Sequence, residues 1–188
     1  LTTTFNDASA MILMGPMGTQ GQSIEMMTNL ISLQGQTEGS AINATNNCYR
    51  QVLGSSNLAA MNVAPAAVSV RVVNPAALQT TSGTIYLGQC TSKININNST
   101  KTWTQLGGEL VATSNPTVMT AATLAVNAAE VSAVPVEIDE MAELRPMEDT
   151  GAGLVTLGSS TAETWHGFAP LYCYNPDKVD LRYELTIE

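Results

Sequence analysis

The sequence predicts an all-β sandwich or barrel, and three observations carry that expectation. Residues 179–188 alternate without a break: Val179, Leu181, Tyr183, Leu185 and Ile187 fall on one face, and Asp180, Arg182, Glu184, Thr186 and Glu188 on the other. A period of two over ten residues places one face on a core and the other in water. Residues 66–73 repeat the pattern, with Ala66, Val68, Val70 and Val72 opposed to Ser69 and Arg71. The polar surface is built mainly from Ser, Thr and Asn, 51 of 188 residues, while charged residues make up only 12%. That is about half the usual charged share. Short neutral side chains suit strands and loops better than exposed helices, which favour Glu, Lys, Gln and Arg.

Taken in chain order, residues 10–14 form the first apolar run that reads as a strand. The Gly-rich stretch Gly15-Pro16-Met17-Gly18-Thr19-Gln20-Gly21 lacks the Lys of a phosphate-binding loop and reads as a surface loop. In residues 23–33, Ile24, Met27 and Ile31 stand at i, i+3 and i+7, which predicts a helix. Strands follow at 66–73 and 84–89, separated by Asn74-Pro75 and Ser82-Gly83. Shorter strands are expected at 93–96, 101–106, 109–112 and 153–157. A second helix is expected with Asn115 as its cap, Pro116 in the first position, and Val118, Ala121, Ala122 and Ala125 as its stripe. The apolar run 168–174, the turn Asn175-Pro176-Asp177-Lys178 and the strand 179–188 predict a closing antiparallel hairpin. No linker divides the chain, so residues 1–188 are expected to form one domain.

Composition also excludes classes of function. A net charge of −9, with three Lys and four Arg scattered along the chain, argues against this surface gripping nucleic acid. No apolar stretch reaches the ~18 residues of a membrane helix. The first residue is Leu1 rather than Met, which predicts that the sequence is the ordered part of a longer protein. Cys48, Cys90 and Cys173 are too far apart for a zinc element and are expected to be small buried hydrophobes. Met11, Met14, Met17, Met26 and Met27 read as core filler, and the Asn43, Asn97 and Asn98 sequons as exposed loops.

His166 is the single histidine, so any serine or cysteine triad would have to pass through it. It has no nucleophile motif to serve, and no enzymatic activity is expected. One concentration of charge remains: Glu137, Asp139, Glu140, Glu143, Glu148 and Asp149 fall within thirteen positions, with Arg145 as the one base. Carboxylates this dense are solvated, paired, or bridged by a hard cation such as Ca²⁺. Glu137, Asp139, Glu140 and Asp149 are therefore a candidate Ca²⁺ or proton-linked contact shared between subunits. A solvated acidic loop and an acid–base carboxylate pair are the competing readings.

The segments Cys48-Tyr49-Arg50-Gln51-Val52-Leu53, Ala66-Ala67-Val68-Ser69-Val70-Arg71-Val72-Val73 and Ser82-Gly83-Thr84-Ile85-Tyr86-Leu87-Gly88 resemble the single-jelly-roll capsid proteins of icosahedral viruses. Trp165, Phe168, Asn175-Pro176 and the alternating end of the chain are similar to the closing strands of the same shells. The family includes tombusvirus-like and nodavirus-like coat proteins and their relatives in small single-stranded DNA viruses, including those of diatoms. The resemblance implies an eight-stranded antiparallel jelly-roll sandwich with one to three short helices in its connections. It implies a structural coat protein whose partners are copies of itself, assembling in the host cytoplasm or nucleus into an icosahedral (T=3) virion shell. Viral nucleic acid would be held by a basic N-terminal arm, which this acidic sequence does not contain. No cofactor is expected beyond Ca²⁺ at subunit contacts. A β-sandwich carbohydrate- or ligand-binding module of the lectin or adhesin kind is the alternative.

Overall fold

The computed structural model describes residues 2–20, 25–35, 48–51, 62–63, 66–91, 101–135, 145–148, 154–156, 163–164 and 169–188. These residues form fourteen strands and two helices. The first half holds β1 (Thr2–Asp7), β2 (Met11–Gln20), β3 (Glu25–Gly35), β4 (Cys48–Gln51), β5 (Asn62–Val63), β6 (Val68–Val73) and β7 (Thr84–Gln89). The second half holds α1 (Trp103–Ser114), β8 (Thr117–Thr120), α2 (Ala121–Val126), β9 (Ala129–Ala133), β10 (Arg145–Glu148), β11 (Leu154–Thr156), β12 (Glu163–Thr164), β13 (Leu171–Tyr174) and β14 (Leu181–Ile187).

The strands make two sheets, so the all-β expectation is met at the level of class. The smaller sheet has the order β1-β14-β6-β9, antiparallel throughout. The larger runs β11-β4-β3-β2-β13-β7-β8, with β12 beside β2 and β10 beside β3. All its pairings are antiparallel except the two-residue match of β10 to β3. Between the sheets, Ile12, Met14, Ile85, Leu87, Leu171 and Cys173 meet Val68, Val70, Val72, Leu181, Tyr183 and Leu185 in one buried cluster. Each such side chain contributes about 1.5–3 kcal/mol on leaving water. Alternation dictates this: Arg71 and Arg182, which alternate with them on the same strands, are exposed.

Four expectations need correction. First, β13 and β14 do not form a hairpin. β13 pairs with β2 and β7 in the larger sheet, while β14 lies between β1 and β6 in the smaller, so the Asn175 turn carries the chain from one sheet to the other. Second, Glu25–Gly35 is a strand: nine register pairs with β2 outweigh the helical spacing of Ile24, Met27 and Ile31. Third, the Gly15–Gln20 stretch continues β2, with a register shift between Gly15 and Met17 in place of a loop.

Fourth, the strands expected at 101–106 and 109–112 are one helix, α1. Thr102 caps it in a complete capping box with Gln105. Trp103, Leu106 and Leu110 form its buried side. Asn115, expected to begin a helix, ends this one in a left-handed conformation (φ 50°). The helix expected after it starts later, at Ala121, capped by Thr120 and anchored by buried Ala121 and Leu124. The expected strand at 93–96 lies outside the described residues.

Helix α1 covers the outer face of the larger sheet, where Met11, Leu13 and Tyr172 are buried. It approaches so closely at Gly107 that a Cβ there would lie 2.6 Å from the Tyr174 ring. The Ser114 and Tyr172 hydroxyls, 2.6 Å apart, tie down its far end.

Candidate functional site

The acidic residues Glu137, Asp139, Glu140, Glu143 and Asp149 lie outside the described residues, as do His166, Trp165 and Phe168. Glu148 enters β10, where its backbone stands opposite Thr28 of β3. Among the described residues no three His, Cys, Asp or Glu side chains converge as metal ligands would. No helix among them is long and apolar enough to cross a membrane.

Two of the three thiols are in view and both are buried and unbridged. Burial pushes Cys90 up to about 12 and Cys173 up to about 12, so neither is a thiolate at neutral pH. The Tyr183 hydroxyl donates to Cys173 Sγ at 3.4 Å, and burial raises that phenol well above its ordinary range as well. These groups pack the core, as expected of small buried hydrophobes. Cys48 contributes its backbone to β4.

The connections that cross between sheets gather at one end of the sandwich and are joined there by hydrogen bonds. Asn175, fully buried, accepts from the Val179 N–H at 3.0 Å and donates to the Val179 carbonyl at 2.8 Å and the Ser9 carbonyl at 3.4 Å. Its own N–H donates to the Ala10 carbonyl at 2.8 Å. Asn74 plays the matching part at the β6–β7 crossing, donating to Thr81 Oγ1 at 2.7 Å and to the Ala121 carbonyl at 2.9 Å. Both asparagines precede a proline, which fixes the exit direction of the chain. Asp177 joins the two crossings by accepting the Thr84 N–H at 2.9 Å.

Two surfaces of this frame face outward. The crossing end carries the run 75–80, all exposed, with Leu78 53% and Val126 66% exposed nearby on the segments that Asn74 links. The outer face of the smaller sheet carries Thr2, Thr4 and Asn6 on β1, Arg182 and Glu184 on β14, Ser69 and Arg71 on β6, and Glu130 and Ser132 on β9. Arg71 pairs with Glu184 at 3.7 Å and stands opposite Glu130 on its other side. An exposed pair of this kind contributes at most about 1 kcal/mol. Opposite charges in adjacent alternating strands were the available signal for this row, but only once the strand order is known.

The six aromatic side chains in view, Phe5, Tyr86, Trp103, Tyr172, Tyr174 and Tyr183, are all buried or half-buried. Phe5 stacks on Tyr183 with ring centres 5.1 Å apart. None of them is exposed as a platform for a sugar ring. Comparison of the chain with family models, curated proteins and solved structures finds no match.

Proposed function

We propose that the chain is the jelly-roll shell domain of a viral coat protein that assembles with copies of itself into an icosahedral particle. The observation that supports this best is the strand order. The smaller sheet, β1-β14-β6-β9, faces the run β2-β13-β7-β8 of the larger one, and the steps β1→β2, β6→β7, β8→β9 and β13→β14 each change sheet. Eight strands threaded in this way fit the double Greek-key jelly roll, an architecture common to capsid and lectin domains. On this reading β3, β4 and β11 extend one sheet, and α1 and α2 occupy connections.

Between those two uses, the side chains favour the shell. The aromatics in view are engaged in the core, whereas on the outer face of the smaller sheet Thr2, Thr4, Asn6, Ser69 and Ser132 offer short neutral groups that lose little entropy on contact, beside the Arg71–Glu184 pair. Genome contact is assigned to a basic arm outside these 188 residues, and Ca²⁺ or protons at the 137–149 acids to the regulation of subunit contacts.

Sedimentation and electron microscopy of the full-length protein test the proposal. Closed particles of many identical copies are expected. A monodisperse monomer at high concentration, across pH and salt, overturns it.

A further inference from the structure

We infer that β1 is an assembly edge, pairing antiparallel with β1 of a second copy about a two-fold axis at Thr4 and so continuing the smaller sheet from one molecule into the next. The inference rests on the self-assembly reading in that the occupant is another copy of this chain.

An end strand presents backbone donors and acceptors to any extended chain, and proteins that remain monomeric blunt such strands with charge, proline, bulges or shortness. The other described end strands carry these devices. β9 has exposed Glu130 within its five residues and Pro135 just beyond them. β8 is four residues long, with Pro116 immediately before it and α2 immediately after. β11 has three residues. β1 has six, pairs with β14 in unbroken register from Thr2 to Asp7, contains neither Lys, Arg nor Pro, and carries its single charge, Asp7, at its last position.

The charge pattern selects a second copy as the partner. Each chain carries −9, so two copies approach favourably only where no unpaired acids face each other. Centring the register on Thr4 pairs Thr2 with Asn6, Thr3 with Phe5 and Thr4 with its own copy, all neutral. Asp7 falls outside this ladder, its carboxylate already accepting the Ser9 N–H at 2.6 Å. The nearest acids in the row through Thr4 are then Glu184 and its copy, three strand spacings apart, or about 14 Å. That exceeds the ~8 Å screening length at physiological ionic strength. Threonine pairs and aromatic–β-branched pairs are also among the favourable cross-strand combinations. A contact in which the same strand serves both partners closes as a two-fold, the commonest symmetry of homo-oligomers.

Directly opposed residues of an antiparallel pair have Cα atoms about 4.5–5.5 Å apart, within disulfide range. Thr4→Cys should therefore link two copies under mild oxidation. Thr2→Cys should not link to itself, because the two positions lie about 13 Å apart along the ladder. Mixing Thr2→Cys with Asn6→Cys should restore the link. The parent chain, oxidised in parallel, gives the background from its own cysteines. The expected result is roughly tenfold more linked dimer for Thr4→Cys than for Thr2→Cys alone, with Thr4→Lys lowering particle yield without changing the circular dichroism of the fold. Equal linkage of Thr4→Cys and Thr2→Cys in a protein that still sediments as particles overturns the edge pairing and leaves the assembly reading standing. A monomer without linkage overturns both.

Discussion

Gly107 and Gly108 are adjacent on one helix, yet replacing each by alanine should move stability in opposite directions. At Gly108 a Cβ would meet nothing within 4 Å. Alanine there should stabilise by the helix-propensity difference, about 1 kcal/mol. At Gly107 the same atom would lie 2.6 Å from Tyr174 Cε2 and 2.9 Å from Cζ. Carbon atoms rest at about 3.5–4.0 Å, so α1 must lift by roughly 1 Å. The ring cannot easily give way, because Tyr86 lies against it with centres 5.8 Å apart. Overpacking of this kind costs about 1–3 kcal/mol, and lifting the helix also strains the Ser114–Tyr172 hydrogen bond, worth about 1 kcal/mol. After the propensity gain, Gly107→Ala should lose about 1–3 kcal/mol, leaving the two variants about 2–4 kcal/mol apart. Urea titration below the concentration of self-association reads this as midpoint shifts of opposite sign with unchanged slope. Tyr174→Leu should relieve Gly107→Ala and leave Gly108→Ala additive. Equal stabilisation by both alanines would refute the close approach of α1 to the sheet.

Three further outcomes are expected. Asn175→Ala, which removes the bonds to Ser9 and Val179 at a fully buried position, should cost about 2–4 kcal/mol by urea titration, far more than Asp177→Ala at the exposed part of the turn. Cys90 and Cys173 ionise less readily folded than unfolded, so stability should hold below pH 9 and fall as pH rises from 9 towards about 12. Each thiol adds at most about 1.4 kcal/mol per pH unit, and Cys173→Ala should flatten the alkaline slope of the unfolding midpoint accordingly. If the 137–149 acids bridge subunits, chelator at mildly alkaline pH should slow particle sedimentation and Ca²⁺ should restore it, with Asp139→Asn plus Glu140→Gln abolishing the response. Identical sedimentation with and without chelator, in parent and variant, would eliminate the cation bridge.

Two strands of the smaller sheet, β6 and β14, were legible because that sheet has one wet face, whereas β1 and β9 were not read as strands. In β6 and β14 alternation alone separated buried Val70 and Leu185 from exposed Arg71 and Arg182. The larger sheet was harder to read, since α1 covers its outer side and Leu171, Tyr172 and Cys173 are all buried in succession. That contrast was itself a sign that β13 and β14 belong to different sheets, although the turn residues between them suit a hairpin equally well. Gly107-Gly108 looked like a break, which hid α1 despite its Thr102–Gln105 capping box and its apolar spacing at Trp103, Leu106 and Leu110. In Glu25–Gly35 a fortuitous helical spacing lost to long-range pairing with β2. The acids singled out for chemistry could be recognised as a cluster, but periodicity carries no information on whether such a segment converges in space.

The position of β14 has a consequence for how the molecule is made. It is the last strand of the sequence, yet it separates β1 from β6 and joins each of them through six register pairs. While a ribosome is still translating, residues 2–7 and 68–73 have no neighbour to bridge them, and the smaller sheet can close only after residues 181–187 emerge. Pairings this distant in sequence make for slow folding. Until residues 181–187 emerge, the nascent chain carries an unprotected apolar face formed by Val68, Val70 and Val72. On the proposed shell reading, each copy becomes competent for contacts through this sheet only once residues 181–187 have emerged, and products that stop before β14 lack the sheet through which they would join a particle.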